Sequence, residues 1–284
     1  MFDKISYTWE LMGASWNVLK QDTEMLLFPL LSGIACLLVT ASFAFPMITG
    51  HTPTFDPNQP GGNAIYYVGV FLFYVVNFFI ITFFNTALIA CAIKRLRGGD
   101  PTFSEGLSEA FSRIHLILGW AILSATVGVV LKIVQDKSGW VGKLAAGLLG
   151  FAWTLLSYLA VPVLVAQNKG PIDALKESAA LLRKTWGEQL IGNFSFGVIF
   201  ILLNIPAIIA IIIGVIMMMQ QAFALGVVLI VIGALYLLVA SLIQTALQAI
   251  FQAAVYLYAA DPNALESNRG FPVALVAGAI SPKD

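Results

Sequence analysis

The sequence predicts an all-α fold: a polytopic transmembrane helix bundle with about six spans and three cytoplasmic amphipathic helices. Hydrophobic residues make up 59% of the 284 residues and charged residues only 11%, whereas about a quarter of a soluble domain is charged. Six apolar runs are long enough to cross a bilayer, which takes about 20 residues. Lys and Arg residues cluster in alternate loops between those runs. We therefore expect residues 1–284 to form a single transmembrane domain.

The predicted spans cover residues 25–48, 64–93, 114–134, 143–166, 190–217 and 223–259. In the fifth span, Pro206 removes a backbone hydrogen bond and predicts a kink. The last span would measure roughly 55 Å as a helix, against a hydrocarbon core of about 30 Å. It must therefore tilt, bend near Gly233 or continue as a buried helix beyond the membrane.

The positions of Lys and Arg predict the orientation of the chain. With six spans, only Lys132, Lys137 and Lys143 of the 15 basic residues fall on one side, and the other twelve share the opposite side with both termini. Because basic residues accumulate in cytoplasmic loops, we expect both termini to be cytoplasmic. The cluster Lys94-Arg95-Leu96-Arg97 is interpreted as an anchor for this orientation, rather than as a binding patch.

Amphipathic helices are predicted before the first, third and fifth spans, over residues 4–20, 102–113 and 171–186. Each places apolar side chains three or four residues apart. The chain thus repeats one unit three times: an amphipathic helix followed by a two-span hairpin. Seven aromatic and basic residues suit the headgroup layer of the membrane: Trp9, Trp16, Lys20, Arg95, Arg183, Lys184 and Trp186. These helices either brace the bundle or provide a surface for lipid sensing or for a partner.

The spans carry almost no charge but several amides, which form a candidate intramembrane polar cluster: Asn77, Asn85, Asn193, Asn204, Gln244, Gln248 and Gln252. The scarcity of ionisable residues argues against a proton-coupled transporter or an intramembrane protease. Amides in hydrocarbon need partners, so we expect these side chains to face the bundle. They serve either as interhelical contacts, worth about 0.6 kcal/mol per bond, or as the lining of a polar path for a solute or a lipid headgroup.

Two segments resemble a known family. Ser15-Trp16-Asn17-Val18-Leu19-Lys20, followed by Leu26-Leu27-Phe28-Pro29-Leu30-Leu31-Ser32-Gly33, resembles the opening of a family of uncharacterised bacterial multi-pass membrane proteins. Ala174-Leu175-Lys176-Glu177-Ser178, through Trp186-Gly187, is similar to its central cytoplasmic helix. More distantly, the alternation resembles the membrane domain that accompanies some glycerophosphodiester phosphodiesterases. The resemblance implies this architecture and a bacterial inner membrane, and it implies no activity.

No motif for catalysis or metal binding stands out. The sequence lacks GxSxG, HExxH and P-loop patterns, and its two cysteines, Cys36 and Cys91, are expected to be unpaired. His51 and His115 lie apart from other metal-binding residues, so we predict no metal and no cofactor. We expect a non-enzymatic structural or interaction component of the membrane that contacts lipids, forms a homo-oligomer or joins a complex, and binds no nucleic acid. The alternative is a passive channel or transporter for a small neutral solute or lipid.

Overall fold

The protein is described by a computed structural model, which covers residues 2–49, 62–137, 139–185 and 195–260. Within these ranges the secondary structure is helical and contains no strand. Six helical segments are long and apolar enough to cross a membrane. The predicted all-α fold with six spans is therefore confirmed.

The helices follow the predicted order. The spans are α2 (Leu27–Ile48), α3 (Gly62–Leu96), α5 (Ile114–Lys137), α6 (Gly139–Leu156) continued by α7 (Ala160–Gln167), α9 (Ser195–Met219) and α10 (Phe223–Ala260). The helices that precede the hairpins are α1 (Phe2–Gln21), α4 (Phe103–Ser112) and α8 (Pro171–Thr185). The predicted start of the fifth span, residues 190–194, lies outside the described residues.

The three units pack in a cyclic order. Helix α4 packs against α3, the second span of the first unit, and α8 packs against α7, which ends the second span of the second unit. Helix α1 completes the cycle by packing against α10, the second span of the third unit. Helices α3, α7 and α10 also contact one another. The second spans thus form the centre of the bundle, and each amphipathic helix connects two units.

The hydrophobic core lies at one end of the bundle, where α1, α4 and α8 meet the ends of α3, α7 and α10. We call this the charged end, because Lys20, Asp22, Lys94, Arg95 and Glu105 lie there. Fully buried side chains of the core come from all three units: Leu19, Met25, Phe28, Leu88, Leu96, Leu159, Leu164, Ile250 and Leu257. Towards the other end, the apolar side chains of the spans are mostly exposed on the surface of the protein, as expected for helices that contact lipid.

Helix α4 is held at its first residues and at one close contact. The Thr102 hydroxyl accepts a bond from the Glu105 N–H at 3.3 Å, and the Glu105 carboxylate accepts one from the Thr102 N–H at 2.9 Å. This capping box satisfies two N–H groups at the start of the helix. One turn later, a Cβ on Gly106 would lie 2.6 Å from Cys91 Sγ and from Phe28 Cζ. Glycine at this position therefore lets α4 sit directly on α2 and α3.

Helix α10 runs unbroken from Phe223 to Ala260, and its last part, from Ala246, is buried in the core at the charged end. The helix does not break at Gly233, and its last part is covered by neighbouring helices. Gly233 lies at a close contact between α10 and α9, because a Cβ there would lie 2.6 Å from Ile211 Cγ1. Pro206 lies inside α9, and the Tyr236 hydroxyl of α10 donates to the nearby Leu203 carbonyl at 2.9 Å.

Candidate functional site

A cleft of about 530 Å³ opens between α2, α3 and α10. Its polar lining consists of Ser32, Asn85, Ser241, Thr245, Gln248 and Gln252, and the rest of its wall is mainly apolar. We call it the amide cleft. Asn85 lies 11 residues before the end of α3 at Leu96, about 16 Å along the helix axis. The polar groups are therefore well inside the membrane-spanning part of the bundle, in the half nearer to the charged end.

The polar groups of the amide cleft differ in how they are satisfied. Ser241 and Thr245 donate to carbonyls of their own helix, at 2.7 and 2.9 Å. The Gln252 amide donates to the Tyr158 carbonyl of another span. In contrast, within the part of the chain that the structure describes, the side-chain amides of Asn85 and Gln248 make no hydrogen bond.

The two amides without partners in the described chain differ in exposure: Asn85 is half-buried, whereas Gln248 is exposed on the surface of the chain. In hydrocarbon, each unsatisfied polar group costs several kcal/mol, because no water is available to replace the missing bond. Asn85 and Gln248 each offer N–H donors and a carbonyl acceptor. The cleft is thus suited to a neutral polar group, such as an ester or a hydroxyl, that arrives from outside the chain. Amides are poor acid–base groups.

Gln252 also forms a hydrogen bond to the backbone at a break in the fourth span. Between α6 and α7 the helix is interrupted at residues 157–159, which frees backbone groups in the membrane. The Gln252 side-chain amide donates a hydrogen bond to the Tyr158 carbonyl. The Leu159 N–H donates to the Ser178 hydroxyl of α8 at 3.0 Å. Side chains from the third unit thus satisfy a break in the second unit. Sequence reasoning missed Ser178, although a serine on the apolar face of an amphipathic helix was a signal for it.

The structure divides the predicted polar cluster. It brings Asn85, Gln248 and Gln252 together in one cleft. Asn77 lies outside the cleft and donates to the Phe73 carbonyl of its own helix at 2.9 Å. Asn204 is in α9, where its Oδ1 is buried and has no partner among the described residues.

Two more of the predicted amides do not belong to this cleft as described. Gln244 is half-buried and is not part of the cleft wall. Asn193 lies outside the described residues. Ser32 and Ser241 of the cleft were missed, because a hydroxyl in a span bonds to its own backbone in most settings and carries little signal.

The predicted interface residues on α1 border a second, apolar groove of about 410 Å³ between α1, α9 and α10. Trp9 and Trp16 are 51% and 37% exposed, and the Lys20 Nζ lies 5.6 Å from the Trp16 ring centroid. Arg183 on α8 is also exposed. The side chain of Lys184 and the whole of Trp186 lie outside the described part of the chain. Their role at the membrane interface stays a prediction.

Arg95 makes contacts within the protein. Its guanidinium donates to both carboxylate oxygens of Asp22, before α2, and to Asp100, before α4. The Asp22 side chain is only 8% exposed. Because breaking a buried ion pair costs about 3–5 kcal/mol, this contact firmly ties the end of α3 to the two neighbouring connections.

Cys36 and Cys91 are both free thiols, as expected. Cys36 lines the amide cleft, whereas Cys91 is buried below α4. Across the described ranges, no group of three His, Cys, Asp or Glu side chains comes together as a metal site requires.

Comparison with known proteins identifies one family. A family described as a family of unknown function, DUF6159, matches residues 64–265, which is more than half of the chain. No curated protein and no solved structure matches the chain significantly. The comparisons give no support for similarity to glycerophosphodiester phosphodiesterases.

Proposed function

The chain belongs to the DUF6159 family of unknown function, and we propose that it is a non-enzymatic interaction component of the bacterial cytoplasmic membrane that binds a lipid in the amide cleft. One observation carries this proposal: the amides of Asn85 and Gln248 share an open cleft inside the membrane-spanning region, and neither has a partner in the described chain. A ligand that supplies those partners gains hydrogen bonds that hydrocarbon does not offer.

The surroundings of the cleft favour a lipid as the ligand. Ile34, Leu37, Ile81 and Leu238 belong to the wall of the cleft and are also exposed on the outer surface of the bundle. The cleft is therefore reached sideways, from the bilayer. A glycerolipid offers ester carbonyls and hydroxyls to the amides, and its acyl chains suit the apolar wall.

Passive passage of a small neutral solute or lipid is the second candidate. It requires a polar lining that continues towards the other end of the bundle. Asn77, Asn204 and Gln244, the other described amides of the predicted cluster, lie outside the cleft wall. This arrangement supports a binding cleft over a path through the bundle.

The charged end is proposed to face the cytoplasm, together with both termini. The support is the distribution of Lys and Arg, because three basic residues fall on one side and twelve on the other. A cysteine introduced at Ser112, in a chain with Cys36 and Cys91 replaced, tests this orientation. It should react with a membrane-impermeant thiol reagent only after the cells are opened, and labelling of intact cells contradicts the proposed orientation.

Lipid binding is tested by cross-linking with a phospholipid that carries a photoreactive group next to its ester. In nanodiscs, the label should appear on the peptides that contain Ser32, Asn85 and Gln248. The double variant Asn85→Leu, Gln248→Leu should lose most of this label. Asn77→Leu is the matched control, since it removes an intramembrane amide that already bonds to its own helix, and it should label like the wild type.

Three results would contradict the proposal. Label spread evenly over all spans indicates ordinary lipid contact and no site. Equal loss in the control variant indicates a general effect of amide removal. Absence of lipid label at these peptides, together with a link between two copies of the chain formed there by a separate bifunctional reagent, indicates that a homo-oligomer fills the cleft.

A further inference from the structure

Another cavity, of about 540 Å³, lies at the charged end between the end of α3, the connection from α3 to α4, α4 itself and the end of α7. We call it the charged cavity. Its wall contains three cations, Lys94, Arg97 and Arg113, and two carboxylates, Glu105 and Glu109. The cavity is separate from the amide cleft, which lies between α2, α3 and α10. The inference below does not rest on lipid binding in that cleft.

Two of the three cations are paired within the wall. Lys94 Nζ lies 2.9 and 2.8 Å from the two carboxylate oxygens of Glu105, and Arg113 pairs with Glu109 one turn before it. Arg97 is exposed and has no ion pair among the described residues. Three positive charges against two negative ones leave the cavity with an excess of one, which belongs to Arg97.

Besides the unpaired guanidinium of Arg97, the wall contains an N–H group of Arg113 that makes no hydrogen bond within the described chain. Its Nη1 donates to Glu109 and to the Ser112 hydroxyl, the latter at 3.0 Å. Its Nε is buried and has no hydrogen-bond partner in the ranges that the structure describes. A buried N–H without a partner costs about 1–3 kcal/mol, and more when the group is charged. This N–H is shielded inside the wall, so an anion in the cavity would interact with Arg113 through its charge, or with the Nε after the side chain has turned.

Lys94 is largely neutralised by its neighbour. The hydrogen bond from Lys94 lowers the pKa of the Glu105 carboxyl, helped by the Thr102 N–H of the capping box. Glu105 therefore stays ionised at neutral pH and keeps Lys94 in place. Arg113 is paired with Glu109 in the same way, so the attraction for an anion comes mainly from Arg97.

We propose that the charged cavity binds a phosphate group, either in the headgroup of a phospholipid or as free phosphate. Guanidinium groups present several N–H donors in a planar arrangement that matches phosphate oxygens. The cavity lies where α3 leaves the membrane-spanning region, the level at which lipid phosphates are found. The cluster that contains Lys94 and Arg97 thus has a binding role besides its predicted role in orientation.

The test uses the full chain in a neutral detergent and three probes: a short-chain phosphatidylglycerol, the matching diacylglycerol without phosphate, and inorganic phosphate. Dissociation constants are measured by native mass spectrometry for the lipids and by calorimetry for phosphate. Arg97→Gln should weaken binding of the phosphate probe about five-fold, the effect expected for one basic residue at a membrane surface. Glu109→Gln should strengthen it, because the variant releases Arg113 and removes a negative charge. A variant that merely disturbed the fold would not bind more tightly.

Lys143→Gln is the matched control, since it removes one positive charge from an exposed position outside the cavity. If the two variants change the dissociation constant of phosphatidylglycerol alone, in opposite directions, the ligand is a lipid headgroup. If they change the dissociation constant of inorganic phosphate in the same way, the site binds the free anion. Diacylglycerol binding should be unchanged in both variants. The proposal is overturned if neither phosphate probe responds to the two variants, or if Lys143→Gln weakens binding as much as Arg97→Gln.

Discussion

Replacing Ser178 by alanine should destabilise the bundle, because this hydroxyl is the acceptor for the Leu159 N–H at the break in the fourth span. The donor and acceptor are 3.0 Å apart, and both residues are completely buried. Alanine removes the acceptor and leaves a space too small to admit water without further change. The Leu159 N–H then stays buried and unpaired.

The size of the effect follows from that burial. A buried donor that loses its partner costs about 1–3 kcal/mol, and loss of one oxygen atom adds little through packing. Ser15→Ala is the matched control. Ser15 is also completely buried, but its hydroxyl has no partner in the described chain. Removing that hydroxyl should leave the stability unchanged or raise it, since an unsatisfied polar group is lost.

Equilibrium unfolding in mixed micelles, followed by tryptophan fluorescence, measures both variants against the wild type. Gln252→Leu should give a loss similar to that of Ser178→Ala, because it removes the partner of the Tyr158 carbonyl at the same break. If Ser178→Ala stays within about 0.5 kcal/mol of the wild type, as surface substitutions do, the hydroxyl is not needed at the break. Equal losses for Ser178→Ala and Ser15→Ala would show that any buried serine is sensitive, and the reasoning would then be wrong.

Three other predictions follow from the packing and the charges. Gly106→Leu should destabilise the protein by about 1–3 kcal/mol through overpacking, whereas Gly147→Leu, with nothing within 4 Å of its added Cβ, should be neutral in the same unfolding assay. Because its pKa is lowered in the folded state, Glu105 stabilises the protein above its ordinary pKa, and this contribution is lost as the pH falls through the lowered value. Lys94→Gln should therefore move that loss to higher pH in unfolding curves measured between about pH 2 and 6; an unchanged profile would contradict the pairing. Gln248→Leu should leave the stability of delipidated protein within about 0.5 kcal/mol of the wild type, because the amide is exposed and has no partner in the described chain, and a clear loss would mean that this amide has a partner in the folded protein.

The spans could be predicted because crossing a bilayer is a local requirement. About 20 apolar residues suffice, wherever they stand in the chain. The predicted last span, 223–259, thus differs by a single residue at its end from α10, Phe223–Ala260. The fourth span, predicted as 143–166, was harder, because its break between α6 and α7 depends on side chains from α8 and α10.

The amides show where local reasoning ends. Asn77, Asn85 and Gln248 look equivalent in the sequence, since each is an amide in an apolar run. The Asn77 amide donates to a carbonyl of its own helix, whereas Asn85 and Gln248 line the same cleft from two different helices. The difference depends on how α2, α3 and α10 diverge, and that depends on packing at the charged end.

The sequence by itself determined the membrane location, the helical class and the threefold order of helix and hairpin, because hydrophobic length and helical period are properties of contiguous residues. Only the tertiary structure decided that α1 completes a cycle against α10, that Ser178 and Gln252 satisfy the broken span, and that Arg97 and Arg113 share a cavity. Those contacts join residues far apart in the chain. Their partners are chosen by the geometry of packing, which no local pattern encodes.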